Sequence, residues 1–160
     1  EQVTLKHGRY ELVGDIETLT VPMTLQDSLM ARLDRRSDVK ELAQLAAVIG
    51  RSFIYELIAA VADLDEAELR RQLAELVSAE LFYQRGVIPK ATFTFKHALI
   101  QETAYRSLLR STRREFHARI ARALETDFPD LVLARPEMMA HNCRVGGLAH
   151  KALSYYRLAG

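Results

Sequence analysis

The sequence is poor in residues that fix a fold by covalent or conformational constraint. Of 160 residues, one is cysteine (Cys143), none is tryptophan, seven are glycine and four are proline. A single thiol excludes an internal disulfide framework and fits a reducing compartment. Few glycines and prolines disfavour many short strands joined by tight turns, and favour helices. No run of about 18 apolar residues is present, so no segment reads as a transmembrane helix. No charged-then-apolar leader opens the chain, and the expected location is cytoplasmic. Neither sign of charge dominates: 22 Lys and Arg stand against 21 Asp and Glu, a net charge of +1. That balance gives no global attraction to nucleic acid or to an acidic membrane. Catalytic signatures are missing too. There is no glycine-rich loop ending in Lys-Ser or Lys-Thr to cradle a triphosphate. There is no Gly-x-Ser-x-Gly elbow and no His-Glu-x-x-His helix. The segment reads as non-catalytic, with no metal and no cofactor of its own.

What is there has globular composition, 49% apolar and 27% charged, enough for one domain or a small domain with an appendage. The chain starts at Glu1 and ends at Leu158-Ala159-Gly160 inside an uncapped apolar pattern. It reads as a piece of a longer protein, although a processed or tag-trimmed chain would look similar.

Periodicity divides it into elements. Tyr10 to Asp15 reads as a short strand with a turn, and Val21-Pro22 ends the extended stretch. Thr24 with Asp27 resembles a helix cap, and Leu25, Leu29 and Leu33 carry the helix to about Arg35. Ser37 or Asp38 caps the next helix, whose apolar positions from Val39 to Ile49 recur at helical spacing until Gly50. Phe53 to Val61 reads as a short third helix. Asp65 with Glu68 forms an acidic capping box ahead of Leu69, Leu73, Leu76 and Val77. The period then changes to two. Leu81 to Arg85 and Thr92 to Phe95 read as strands around a turn containing Pro89. Three helices followed by a hairpin is the order of a winged helix. Helices return from His97 to Leu109 and from Thr112 to Asp127, with Thr112 and Glu115 as a second capping box. Pro136 opens a further helix, and Gly146-Gly147 separates it from a last one starting at Leu148. The expected divisions are a linker with a short strand over 1–23, a winged helix with flanking helices over 24–128, and the start of a helical repeat array over 129–160. A single helical pair of this kind needs a stacked neighbour to cover its apolar face.

A winged helix raises the question of DNA binding. The segment that would enter the major groove, 63–80, carries six acids and two bases, a net −4. Such a face repels phosphate, whereas DNA binding needs cations. The basic run lies elsewhere: Arg106, Arg110, Arg113, Arg114, Arg119 and Arg122, with Glu102, Glu115 and Glu125 between them. It has the composition to bind phosphate or an acidic partner surface. The plainer reading is a solvated face with spaced charge pairs, and the sharper one is an interdomain contact through Arg106, Arg110, Arg113 and Arg114. His141, Cys143 and His150 lack a zinc-like spacing, and His141 and Cys143 read as packing residues of the helical pair.

Several stretches together carry a family resemblance. Val21-Pro22-Met23-Thr24-Leu25 with Ala31-Arg32-Leu33-Asp34-Arg35 resembles the start of the winged helix in bacterial signal-transduction ATPases with numerous domains (STAND proteins). Ala46 to Phe53 is similar to the stretch between that domain's helices, and Phe93 to Tyr105 to its second wing strand and following helix. Glu137 to His141 and Ala152 to Gly160 resemble the first tetratricopeptide-like repeat behind it. The likeness is greatest to regions that follow class III adenylate/guanylate cyclase domains.

The resemblance implies a preceding ATPase core, which would hold ADP or ATP, and partners in that core and the repeats of the same parent chain. It also implies a protein partner reached through the repeats. It places His97 where related switch ATPases carry a histidine that reaches the β-phosphate of ADP. A helix start offers free N–H groups and a positive dipole end to phosphate, and histidine donates a hydrogen bond in either protonation state. Ala98 stands where related switches have aspartate. From spacing alone, His97 reads as a cap or a partly buried packing residue, and only the resemblance favours the sensor role. The function implied is regulatory, coupling the nucleotide state of the core to the repeats. The alternatives are a passive interdomain scaffold and a DNA-binding module, the latter opposed by the acidic helix.

Overall fold

The computed structural model describes the backbone of residues 3–6, 9–12 and 25–160, and side chains at 27–28 and 31–160. Strands β1 (Val3–Lys6) and β2 (Arg9–Leu12) pair antiparallel, with Val3 opposite Leu12. The sequence reading anticipated one strand there, beginning at Tyr10. The expected cap at Thr24 and the Val21-Pro22 stretch lie outside the described residues.

The body is mainly helical. It starts with α1 (Leu25–Asp34) and α2 (Ser37–Ile49), followed by β3 (Ser52–Ile54), α3 (Tyr55–Val61) and α4 (Glu66–Ser78). Then come β4 (Phe82–Arg85), β5 (Thr92–Phe95), α5 (Ala98–Arg106) and α6 (Arg110–Asp127). The last three helices are α7 (Pro129–Ala134), α8 (Pro136–Val145) and α9 (Ala149–Ala159). The sheet is three-stranded and antiparallel in the order β3-β5-β4, where a two-stranded hairpin was expected. Phe53 opens no helix: Ser52 to Ile54 pair with Thr94 to Thr92, and the helix begins at Tyr55.

Two of the expected caps fail and one holds. Asp65 accepts the Glu68 amide at 2.9 Å, satisfying one of the free donors at the start of α4. Neither Ser37 nor Asp38 caps α2. Arg36 occupies the cap position and no side chain bonds there, and Asp38 is turned to Arg71 instead. Thr112 lies inside α6, because the extended backbone of Leu109 starts that helix at Arg110. The stretch from 129, where the repeat array was expected to start, opens with α7. Its two prolines open α7 and α8, where a missing N–H costs nothing.

Helices α4 and α8 end in the same way. After α4, Leu81 N bonds Leu76 O and Glu80 N bonds Val77 O, with Glu80 at φ 61°. After α8, Leu148 N bonds Cys143 O and Gly147 N bonds Arg144 O, with Gly147 at φ 83°. Both are Schellman ends; glycine adopts this conformation without penalty and glutamate does not. The neighbouring Gly146 has a different reason to be glycine. A Cβ there would stand 2.8 Å from the backbone N of Ala118, so its absence lets α8 approach α6.

Two apolar clusters hold the body together. The first joins α1, α2, α3, α4, α5 and the sheet through residues such as Ala46, Ile58, Leu73 and Ile100. At its centre Phe82 and Phe95 meet edge to face at 4.6 Å, and Phe53 stacks on Phe93 at 5.9 Å. Alternation in β5 buries Phe93 and Phe95 completely. The second cluster joins α2 and α3 to α6, α7, α8 and α9 through Leu45, Val61, Phe116, Leu124, Met139 and Ala152. Helix α2 is the common wall: Leu42, Ala43 and Ala46 face one cluster, Leu45 and Val48 the other. The second cluster runs without interruption across residues 128 and 129.

Candidate functional site

His97 sits between β5 and α5. Its backbone is extended, its carbonyl accepts the Ile100 amide at 3.1 Å, and its ring makes no capping bond. The residue is exposed. Its approach is fixed by Lys96, whose amide bonds Leu81 O at 2.9 Å and whose ammonium reaches Glu80 at 3.4 Å and lies over Tyr83. The imidazole is therefore presented to solvent beside the start of α5, on a rigid base, while the helix N–H groups keep no side-chain partner. That arrangement can donate to an anion.

The candidate DNA-facing helix, α4, is bound up in ion pairs. Arg71 reaches Asp38 at 2.9 Å, Glu68 at 2.6 Å and Glu75 at 2.9 Å. Arg36 also pairs with Glu75, and Arg70 with Glu66. Hydrogen bonds from Arg71 and Gln72 hold the Glu68 carboxyl down to about 2, and Arg71 likewise lowers that of Asp38. Both cations of α4 are thus engaged by carboxylates rather than offered outward.

The predicted basic residues divide. Arg106 pairs with Glu102 one helical turn back and takes no part in the cluster. Arg110, Arg113 and Arg114 come together with Arg144, Tyr105, Val145 and Gly147 around a cavity of about 460 Å³. Arg144 was not anticipated, because it arrives from α8. Arg113 donates to the carbonyls of Tyr105 and Leu108 at 3.2 and 3.3 Å, and its guanidinium lies 4.4 Å from the Tyr105 ring.

Comparison with known proteins gives little more. The chain is 26% identical over 133 residues to an uncharacterized protein of Rhizobium meliloti, a match that spans 82% of this chain and 13% of that protein. No family model and no solved structure matches it.

A buried polar chain behind the arginines was missed in the sequence. His117 is 1% exposed and Asn142 2%. Asn142 donates through Nδ2 to Met138 O at 2.9 Å, which leaves Oδ1 to accept from His117 Nδ1–H at 2.8 Å. The His117 Nε2 then accepts from the Tyr105 hydroxyl at 3.1 Å. Every bond in this chain suits a neutral imidazole. Burial, followed by the nearby charges of His141, Arg113 and Arg144, lowers the His117 pKa to about 4, partly opposed by Asn142. The signal was available: His117 shares the buried stripe of Phe116, Ile120, Ala121 and Leu124 on α6.

Cys143 is fully buried, and burial pushes its thiol up, the behaviour of a packing residue. His141 is exposed, edge-on to His117 at 5.3 Å. Among the described residues no group of three His, Cys, Asp or Glu stands placed to hold a metal ion. Nor is any described helix long and apolar enough to cross a membrane.

Proposed function

We propose that this chain is the winged-helix and first-repeat segment of a STAND-type ATPase, a non-catalytic arm coupling the nucleotide state of an ATPase core to helical repeats. The observation that carries the reading is the order α2-β3-α3-α4-β4-β5 with strand order β3-β5-β4, followed at once by an exposed, uncapped His97. A first strand inserted between helices and paired with the far strand of a hairpin is what a winged helix requires. His97 is the group offered to a nucleotide phosphate. The parent is a longer protein, and the 13% share of the Rhizobium relative is consistent with that.

The continuous second cluster supports transmission. It ties α2 and α3, inside the winged helix, to α8 and α9, so a tilt of the former carries the latter. Helix α9 leaves Leu153, Tyr156 and Leu158 exposed, the surface a following repeat would cover. The ion-paired acidic face of α4 is the reason to prefer a protein-facing role over a DNA-facing one. The output of the parent, a cyclase domain among them, belongs to the same proposal.

Hydrogen exchange on the full-length parent tests the reading. Amides 97–102 should be protected with ADP bound and lose that protection when nucleotide is removed. Equal exchange in both states would leave the chain a passive scaffold.

A further inference from the structure

The arginine pocket has no part in that reading, and its geometry points to a binding site for a polyphosphate group, two or more linked phosphates. Its lining contains four guanidiniums and no carboxylate. Among the described residues, none of Arg110, Arg113, Arg114 and Arg144 makes a salt bridge. Other described arginines are unpaired too, but these four converge on one cavity. Four like charges gathered on one cavity repel one another, and an anion between them removes that cost.

Two of the arginines are held in place. Arg113 is held by two backbone carbonyls and the Tyr105 ring. The Arg144 Nε donates to the Tyr156 hydroxyl at 3.3 Å. Arg114 lies against the α8–α9 turn, where a Cβ on Gly147 would come within 2.4 Å of its Nη2. Arg110 is the first residue of α6, a helix of 18 residues with no side-chain cap and no acid in its first turn. Its first amides are thus free and its dipole adds positive potential.

Planar guanidinium forks around a cavity match phosphate oxygens two at a time, which a point charge does not. A cavity of about 460 Å³ is large for one phosphate. One face of the Tyr105 ring, the place a base would stack, is covered by Arg113. The recognition chemistry is therefore that of the phosphates, whether they come as free pyrophosphate or as the diphosphate of a nucleotide.

Calorimetric titration of this chain with pyrophosphate tests the site, and it needs no ATPase core. Saturable binding at one site is expected. Arg110→Gln with Arg114→Gln, both exposed in the chain, should weaken it about tenfold or more without lowering thermal stability. Arg32→Gln with Arg35→Gln removes the same charge from another basic surface and should change affinity less than about twofold. ADP binding as tightly as pyrophosphate would assign recognition to the phosphates alone. Tighter binding of ADP would assign a nucleotide as the source, and either result keeps the site. Absence of saturable pyrophosphate binding, or equal losses in the two double variants, would overturn it.

Discussion

Mild acid should destabilise this protein through His117 before its carboxylates are touched. The ring is buried among Tyr105 on α5, Arg113 on its own helix, and Asn142, His141 and Arg144 on α8. Its pKa is about 4 in the folded chain against 6.5 when free. Between those values the unfolded chain binds a proton that the folded chain refuses, so stability falls as pH falls. Each pH unit in that window costs up to about 1.4 kcal/mol, and the slope is still building at pH 6.5, so a drop from 6.5 to 5 removes about 1.6 kcal/mol. The loss levels off below about pH 4, near 3 kcal/mol in total. His141 is lowered too and adds in the same direction. Asp38 and Glu68 act only in more acidic solution, since Arg71 holds both below the ordinary carboxylate range. Urea denaturation from about pH 7.5 to 5, on the native chain and on His117→Phe, separates these terms. The variant should be weaker by about 1–3 kcal/mol at neutral pH, because Asn142 and Tyr105 lose their partner. It should also be markedly flatter between pH 6.5 and 5. A variant with the native slope would refute the argument that a neutral, buried His117 is required.

Other substitutions probe the frame. Gly146→Ala should cost about 1–3 kcal/mol in chemical denaturation, because its Cβ meets the Ala118 backbone rather than a movable side chain; a neutral result would mean that α6 and α8 separate freely. Phe93→Ala, at the centre of the sheet, should cost about 3–5 kcal/mol. Asp65→Ala should lose about 1 kcal/mol while Ser37→Ala loses almost none, and equal losses would contradict the cap assignment. Glu80→Gly should stabilise thermally by about 0.5–1 kcal/mol by relieving its φ of 61°, less whatever its exposed contact to Lys96 contributes.

What the sequence disclosed depended on how local the cause was. Alternation at Thr92 to Phe95 and the Asp65 cap are decided within a few residues, and both were legible. Strand β3 was not. It is three residues long, it runs directly into a helix, and its partner β5 lies about 40 residues away, so nothing local separates it from the helix. The Thr112 box failed because Leu109, an exposed residue with no capping side chain, sets the helix start through its backbone. Helix α7 was hidden because two prolines seven residues apart read as a break, although each opens a helix. Arg144 joins the other three arginines through the packing of α8 on α6, to which the close approach at Gly146 contributes. His97 is the opposite case: its place at a helix start was legible, and the structure adds that its ring makes no capping bond.

The most direct measurement is the rate of ADP release from the full-length parent, native against His97→Ala, with both shown to be folded. The account predicts faster release from the variant, by about tenfold if one charge-assisted hydrogen bond of about 1.4 kcal/mol is lost. An unchanged rate would contradict it and return His97 to an ordinary residue at the start of a helix.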